Sequence, residues 1–163
     1  MLMILDCNEI IQGRLWVGGF IRPEDVRILR QMEITTILNL QSDQDLANCN
    51  ISPKKLHHAY TEADIEFHRI PTTDFDVQAL EANIPKAVEV LERALAPRWT
   101  KVYVHCTAGF NRGPTLAAAY LIKIRGISAR DAYDFVTSKR HCAPYLATLE
   151  GYEASLKSIK AGE

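Results

Sequence analysis

No run of apolar residues in this chain approaches the roughly 20 that a membrane-spanning helix needs, so no segment reads as a bilayer span. The opening Met1-Leu2-Met3-Ile4-Leu5 is apolar, but Asp6 follows at once. It lacks the basic start and the length of a secretory signal, and a cytoplasmic protein is expected. A surplus of one charge sign is also missing: 19 Lys and Arg face 20 Asp and Glu, for a formal net charge of −1. Broad binding to nucleic acid or to an anionic membrane would need a basic excess. The four cysteines, Cys7, Cys49, Cys106 and Cys142, form no CxxC pair, and the five histidines offer no ligand spacing. Adjacent His57 and His58 would point about 100° apart on a helix. No metal and no organic cofactor is implied, and free thiols in a reducing compartment are expected. Repeats and low-complexity stretches are absent too. What remains is an ordinary composition, 47% hydrophobic and 24% charged over 163 residues. That suits one globular domain covering 1–163 with a proper core. The sequence sets no oligomeric state.

Short apolar runs alternate with longer helical patterns, which predicts an α/β fold with a short, mostly parallel central sheet and helices on both faces. Ile10-Ile11-Gln12 and Leu15-Trp16-Val17, with Gly13 between them, predict an antiparallel pair. Pro23-Glu24-Asp25 opens a helix, Pro fitting the first helical position and acids the N-terminus. Ile34–Leu40 is β-branched and predicts a buried strand. The polar stretch Gln41–Asn50 is expected to be loop, and Ser52-Pro53 caps and starts a helix. Ile65–Ile70 alternates at period two and predicts a strand, followed by a loop over Pro71–Asp76. Leu80, Ile84, Val88, Leu91 and Leu95 recur at helical spacing, with Pro85 expected to break or kink that helix. Lys101–His105 predicts a strand. The Ala-rich run from Pro114 predicts a helix ending at Gly126, Ser128 and Asp131 suggest a capping box for the next, and a last helix covers Leu146–Ile159.

The chemistry-bearing segment is Val102-Tyr103-Val104-His105-Cys106-Thr107-Ala108-Gly109-Phe110-Asn111-Arg112-Gly113-Pro114-Thr115. A buried strand ends, five residues separate Cys106 from Arg112, and a helix begins. A short turn at a helix N-terminus gathers backbone N–H groups into one concavity, and the helix dipole adds positive potential. Thr107, Ala108, Gly109, Phe110, Asn111 and Arg112 are therefore the candidate phosphate cradle. Gly109 permits the sharp turn. Arg112 supplies a planar, permanently charged fork for two phosphate oxygens. The same surroundings favour a thiolate at Cys106. A thiolate inside a phosphate cradle is placed for in-line attack on phosphorus, giving a phosphocysteine.

This loop resembles the Cys-x5-Arg signature of the protein tyrosine phosphatase superfamily in its His-Cys-x-x-Gly-x-x-Arg form. The resemblance implies a dual-specificity phosphatase fold, Cys106 as nucleophile and Arg112 as phosphate clamp. It also implies a general acid on a loop about thirty residues upstream. Asp74 stands 32 residues before Cys106 and is the expected acid, with Asp76 its competitor. One departure is Gly113, where the family usually carries a Ser or Thr whose hydroxyl helps the thiolate leave; slower breakdown of the intermediate is expected unless Thr107 or Thr115 compensates.

Further segments resemble the starch-excess and laforin-type glucan phosphatases within that superfamily. These are Pro23–Val26, Thr36–Gln41 with Asp43 and Asp45, Asp74-Phe75-Asp76, Tyr103–Gly109 and Ser138–Pro144. That likeness implies a phosphorylated glucan as substrate and sugar contacts at Phe75 and Phe110. Trp16 and Tyr60 are additional aromatic candidates whose ordinary role is core packing. Three other readings stay open: a protein Ser/Thr/Tyr phosphatase, an RNA 5′-triphosphatase-like enzyme (from Gly109-Phe110-Asn111-Arg112), and a pseudophosphatase that only binds phosphorylated partners (from Gly113). The near-neutral charge argues against the RNA reading, and intact Cys106, Asp74 and Arg112 argue against the pseudophosphatase.

Overall fold

The computed structural model describes residues 4–163; Met1, Leu2 and Met3 of the apolar opening lie outside the described residues. Five short strands form one sheet: β1 (Cys7–Ile11), β2 (Leu15–Gly18), β3 (Thr36–Asn39), β4 (Glu66–Arg69) and β5 (Val102–His105). Their order is β1-β2-β5-β3-β4. β1 pairs antiparallel with β2 through the predicted turn, and Gly13 sits there at φ 70°. All other pairings are parallel. The mostly parallel sheet expected from the alternation is present.

Period two in the strands divides the apolar side chains between two cores. Leu15, Val17, Leu38, Val102 and Val104 face one layer, made by α4 (Val77–Leu95), α5 (Arg112–Arg125), α6 (Ala129–Lys139) and α7 (Leu146–Ala161). Ile37 and Tyr103 face the other, where α1 (Val26–Gln31) and α3 (Pro53–Glu62) contribute Val26, Leu29, Leu56 and Tyr60. β5 is buried along its whole length and lies in the middle of the sheet. Whatever follows it is therefore delivered to a fixed point.

Two expectations need correction. The polar stretch Gln41–Asn50 is not all loop, because α2 occupies Asp43–Asn48. Ser42 accepts a hydrogen bond from the Asp45 N–H, and Asp45 accepts one from the Ser42 N–H, a reciprocal capping box that starts the helix without an apolar stripe. Leu46 alone anchors it in the core. Pro85 does not break α4, which runs unbroken from Val77 to Leu95. Pro85 is exposed, so the Glu81 carbonyl that it leaves without a helical donor can meet water. Buried Leu80 and Ile84 before it, and Val88 and Leu91 after it, hold both halves to the sheet.

The predicted strand Ile34–Leu40 is paired only over Thr36–Asn39, although Ile34 and Leu40 are buried. The helix after the chemistry-bearing loop begins at Arg112 and ends at Gly126, which takes the left-handed φ of 64° expected of it. Ser128 caps α6 by accepting from the Asp131 N–H. Among the described residues, no helix is long and apolar enough to cross a membrane, and no cluster of three or more His, Cys, Asp or Glu could hold a metal ion.

Candidate active site

The parallel strands end together, His105 lying opposite both Gly18 and Asn39. Loops at the C-terminal ends of such strands form the natural ligand crevice. The segment from Cys106 to Asn111 fills that position, between β5 and α5. Each of its carbonyls is held from outside. Cys106 O bonds His105 Nδ1 at 3.1 Å, Thr107 O accepts from the Phe20 N–H, Ala108 O and Gly109 O accept from Arg140, Phe110 O accepts from the Ala143 N–H, and Asn111 O accepts from the Thr115 N–H. With the carbonyls turned out, the amide groups turn in, and a nest of N–H donors faces the concavity at the start of α5. Gly109, at φ 64°, packs against Gly18: a Cβ there would lie 2.4 Å from the Gly18 carbonyl carbon.

Arg140 is the outer brace. Its Nε donates to Gly109 O at 2.7 Å and its Nη2 to Ala108 O at 3.1 Å, while Asp6 Oδ1 and Asn8 Oδ1 accept from Nη1. His105 is the inner one. It is wholly buried, which lowers its pKa to about 4 despite the bond to Cys106 O. The neutral ring therefore donates from Nδ1, fixing the tautomer.

Cys106 lies at the floor of the cup, 2% exposed. Arg112 is equally buried, and its two edges differ in use. Nη1 donates to Asp45 Oδ2 at 2.6 Å and to Thr72 O at 2.8 Å. Nε has no hydrogen-bond acceptor among the described residues, and Nη2 makes only a long 3.4 Å contact with Thr107 Oγ1. One edge is tied to the protein, and the Nε–Nη2 edge is left as a bidentate fork for an oxyanion. Burial opposes ionisation of Asp45, but the hydrogen bonds from Arg112 and the Ser42 backbone outweigh it and hold its carboxyl below the usual range. An ionised Asp45 fixes the guanidinium.

The structure separates the two loop carboxylates. Asp76 Oδ1 accepts from the Ala79 N–H at 2.9 Å and caps α4. Asp74 Oδ1 lies 3.3 Å from Arg112 Nε, close enough for an ion pair but not aligned as a hydrogen bond. Asp74, partly exposed, thus stands beside the fork. Its neighbour Phe75 is held at φ 59° and is 79% exposed. A bulky residue in that region is strained, and such strain gathers at functional loops. Phe110, 38% exposed, lies on the loop itself with its ring centroid 5.8 Å from that of His141. Tyr60 is a core residue, and Trp16 packs partly buried on the same layer.

Gly113 lies beside Cys106: a Cβ there would be 3.8 Å from Cys106 Sγ. Of the two nearby threonines, Thr115 is engaged as both donor and acceptor, whereas Thr107 only accepts and keeps its own proton to donate. Thr115 Oγ1 donates to Asn111 O and accepts from the Tyr145 N–H, and Thr107 Oγ1 accepts from Gln41 Nε2 at 3.1 Å. The roles of Asp45, Arg140 and Gln41 were not assigned from sequence. The Ser42-x-x-Asp45 capping pattern was the available signal for the first. Arg140 lies in the Ser138–Pro144 segment that carried the family resemblance, but no role was assigned to it there, and the fold brings it from 31 residues away.

Residues 15–153 match the family model described as dual specificity phosphatase, catalytic domain. The chain belongs to that family. It is 33% identical over 150 residues to the amyloplastic phosphoglucan phosphatase DSP4 of Castanea sativa, covering 91% of this chain and 40% of that protein. It is also 33% identical over 132 residues to the dual specificity protein phosphatase Mpk3 of Drosophila melanogaster, covering 81% of this chain and 29% of that one. This dual specificity phosphatase domain thus spans well under half the length of these relatives. Its fold matches the crystal structure of PTPMT1 in complex with PI(5)P at a TM-score of 0.79, with 22% identity, over 95% of this chain and 99% of that one. Cysteine-dependent phosphatase chemistry belongs to this family and fold.

Proposed function

We propose that the chain hydrolyses phosphomonoesters through a phosphocysteine on Cys106 and that its preferred substrate is a phosphorylated glucan. The observation that carries the chemistry is the division of Arg112: one edge is locked to Asp45 and Thr72, and the other is left open with Asp74 beside it. A phosphate dianion bound to the Nε–Nη2 edge and the inward amides puts phosphorus in line with Cys106 Sγ. The S–P bond forms as the ester P–O bond breaks, and Asp74 gives its proton to the leaving oxygen. Water then loses a proton to the Asp74 carboxylate as its oxygen attacks phosphorus. The S–P bond breaks, and inorganic phosphate and the thiolate are released. The amide nest and Arg112 carry the charge on the transferring group in both steps.

Two features favour a glucan. Phe75, next to Asp74, and Phe110, on the loop itself, are exposed aromatic residues suited to sugar faces. The likeness to a phosphoglucan phosphatase extends over 91% of the chain. Likeness to a dual specificity protein phosphatase supports a phosphoprotein as the second reading. Hydrolysis of an aryl phosphate is expected to vanish in Cys106→Ser, and full activity in that variant would overturn the nucleophile. Phosphate release from amylopectin is expected to exceed release from phosphopeptides. The reverse ranking would replace the glucan reading with the phosphoprotein one.

A further inference from the structure

Gln41 follows the end of β3 and is wholly buried. Its backbone is fully bonded: the N–H donates to Asn39 Oδ1 at 2.8 Å, and the carbonyl accepts from Arg69 Nη2 at 2.9 Å. Its side chain is used on one side only. Nε2 donates to Thr107 Oγ1 at 3.1 Å and makes a 4.0 Å contact with Cys49 Sγ, while Oε1 has no hydrogen-bond partner among the described residues. A buried amide oxygen left unpaired lowers stability, so keeping this side chain calls for a reason other than packing. The group it holds supplies one, because Thr107 stands next to Cys106 on the loop.

Thr107 Oγ1 is approached by two donors, Gln41 Nε2 and, 3.4 Å away, Arg112 Nη2. A guanidinium cannot accept, so the hydroxyl turns a lone pair toward it. A hydroxyl has two lone pairs and one proton. With both lone pairs facing donors, the proton points away from both, and it meets no acceptor among the described residues. The Thr107 backbone is fixed as well, since its carbonyl accepts from the Phe20 N–H at 3.0 Å. Nη2 belongs to the edge of Arg112 that Asp45 and Thr72 leave open. A phosphate oxygen seated on that nitrogen therefore arrives beside a hydroxyl already 3.4 Å from it.

We propose that the Thr107 hydroxyl is a further donor to the phosphoryl group: it hydrogen-bonds the phosphate oxygen that Arg112 Nη2 also holds, and Gln41 is the positioning residue that keeps its proton free to do so. The accepting oxygen is non-bridging, so the bond persists while the S–P and P–O bonds form and break in both steps. No proton leaves Thr107, and the balance of the reaction is unchanged. The partner is a phosphoryl oxygen and not the departing sulfur, so the place at Gly113 beside Cys106 Sγ stays without a hydroxyl.

This inference rests on the proposed function, and one set of variants separates their failures. Inhibition by orthovanadate, an oxyanion that can take the five-coordinate shape of the transferring phosphoryl group, is measured beside kcat/KM on an aryl phosphate. The proteins are the wild type, Thr107→Val, Thr107→Ser, Gln41→Met and the Thr107→Val, Gln41→Met double variant, with Cys106→Ser as blank. Valine keeps the branched shape of threonine and lacks only the hydroxyl. Thr107→Val is expected to weaken vanadate inhibition and to lower kcat/KM by about tenfold each, the factor for one hydrogen bond to a charged group. Thr107→Ser brings the donor back and is expected to recover most of both losses. Gln41→Met is expected to weaken vanadate inhibition by about threefold, as for one neutral hydrogen bond. In the Thr107→Val background it is expected to add nothing, since residues acting as a unit are not additive. An inhibition constant does not depend on the folded fraction, so a poorly folding variant cannot imitate these shifts. Unchanged vanadate inhibition in Thr107→Val overturns the role of Thr107, and an additive shift in the double variant overturns that of Gln41. Full activity in the Cys106→Ser blank would instead overturn the phosphocysteine mechanism.

Discussion

Asp74 and Asp76 carry the same functional group two residues apart and stand in different places. Asp76 satisfies an orphan N–H at the start of α4. Asp74 faces the fork of Arg112. Replacing Asp76 by Ala is expected to cost about 1 kcal/mol of stability, as loss of a helix cap does, with kcat close to wild type. Asp74→Asn is expected to leave the melting temperature unchanged and to lower kcat by roughly 10²–10⁴, the usual contribution of a general acid. Thermal melts and steady-state rates on the two variants check this, and the opposite pairing would exchange their roles. Gly113 supports a second prediction. A side chain begun there meets Val17 Cγ1 at 3.4 Å and Cys106 Sγ at 3.8 Å, so serine fits and its hydroxyl reaches the sulfur. A hydrogen bond to a departing thiolate contributes about 1.5 kcal/mol or more, about tenfold in rate. Gly113→Ser is expected to speed breakdown of the phosphocysteine by that factor. Rapid-quench kinetics should show less phosphoenzyme at steady state, and unchanged accumulation would place the slow step elsewhere.

Elements whose reason is local were legible in the sequence. Gly13 bends the β1–β2 hairpin, Ser52-Pro53 and Ser128 cap their helices, and Gly126 ends α5. The loop from Cys106 to Arg112 belongs with them, because strand, turn and helix are continuous in the chain. α2 was missed because six residues with one buried leucine give no period to detect; its cap carries the information instead. Its function was missed with it, since Asp45 matters only once the fold sets it against Arg112, 67 positions later. Arg140 was hidden for the same reason. Removing it is expected to release two loop carbonyls and to cost about 2–3 kcal/mol, the range of a hydrogen bond to a charged group. In Arg140→Ala, urea denaturation should show that loss, and kcat should fall because the amides no longer converge. Wild-type kcat in the destabilised variant would mean that the loop keeps its shape without the brace.

The two hydrophobic layers meet at the sheet, and the loop from Cys106 to Asn111 closes the end where they meet, so the response of the whole molecule to acid is set there. With a net charge of −1, general charge repulsion has little leverage near neutral pH. His105 is wholly buried and its pKa is lowered to about 4, against 6.5 for the ordinary side chain. Between those values the unfolded chain binds a proton that the folded one refuses. Stability is therefore fully present above pH 6.5, declines as pH falls, and reaches its full loss below about pH 4. The gap of roughly 2.5 pH units corresponds to about 3 kcal/mol, a large fraction of the 5–15 kcal/mol that holds a typical domain together. Asp45, held below its ordinary value chiefly against burial by Arg112 and Ser42, adds a loss that begins only at lower pH. Urea unfolding at pH 7, 5 and 4 is expected to show the fall. In His105→Asn, whose amide can still donate to Cys106 O but does not titrate, the decline between pH 6.5 and 4 is expected to flatten. An equal slope in both proteins would move the acid sensitivity away from the floor of the cup to other groups in the molecule.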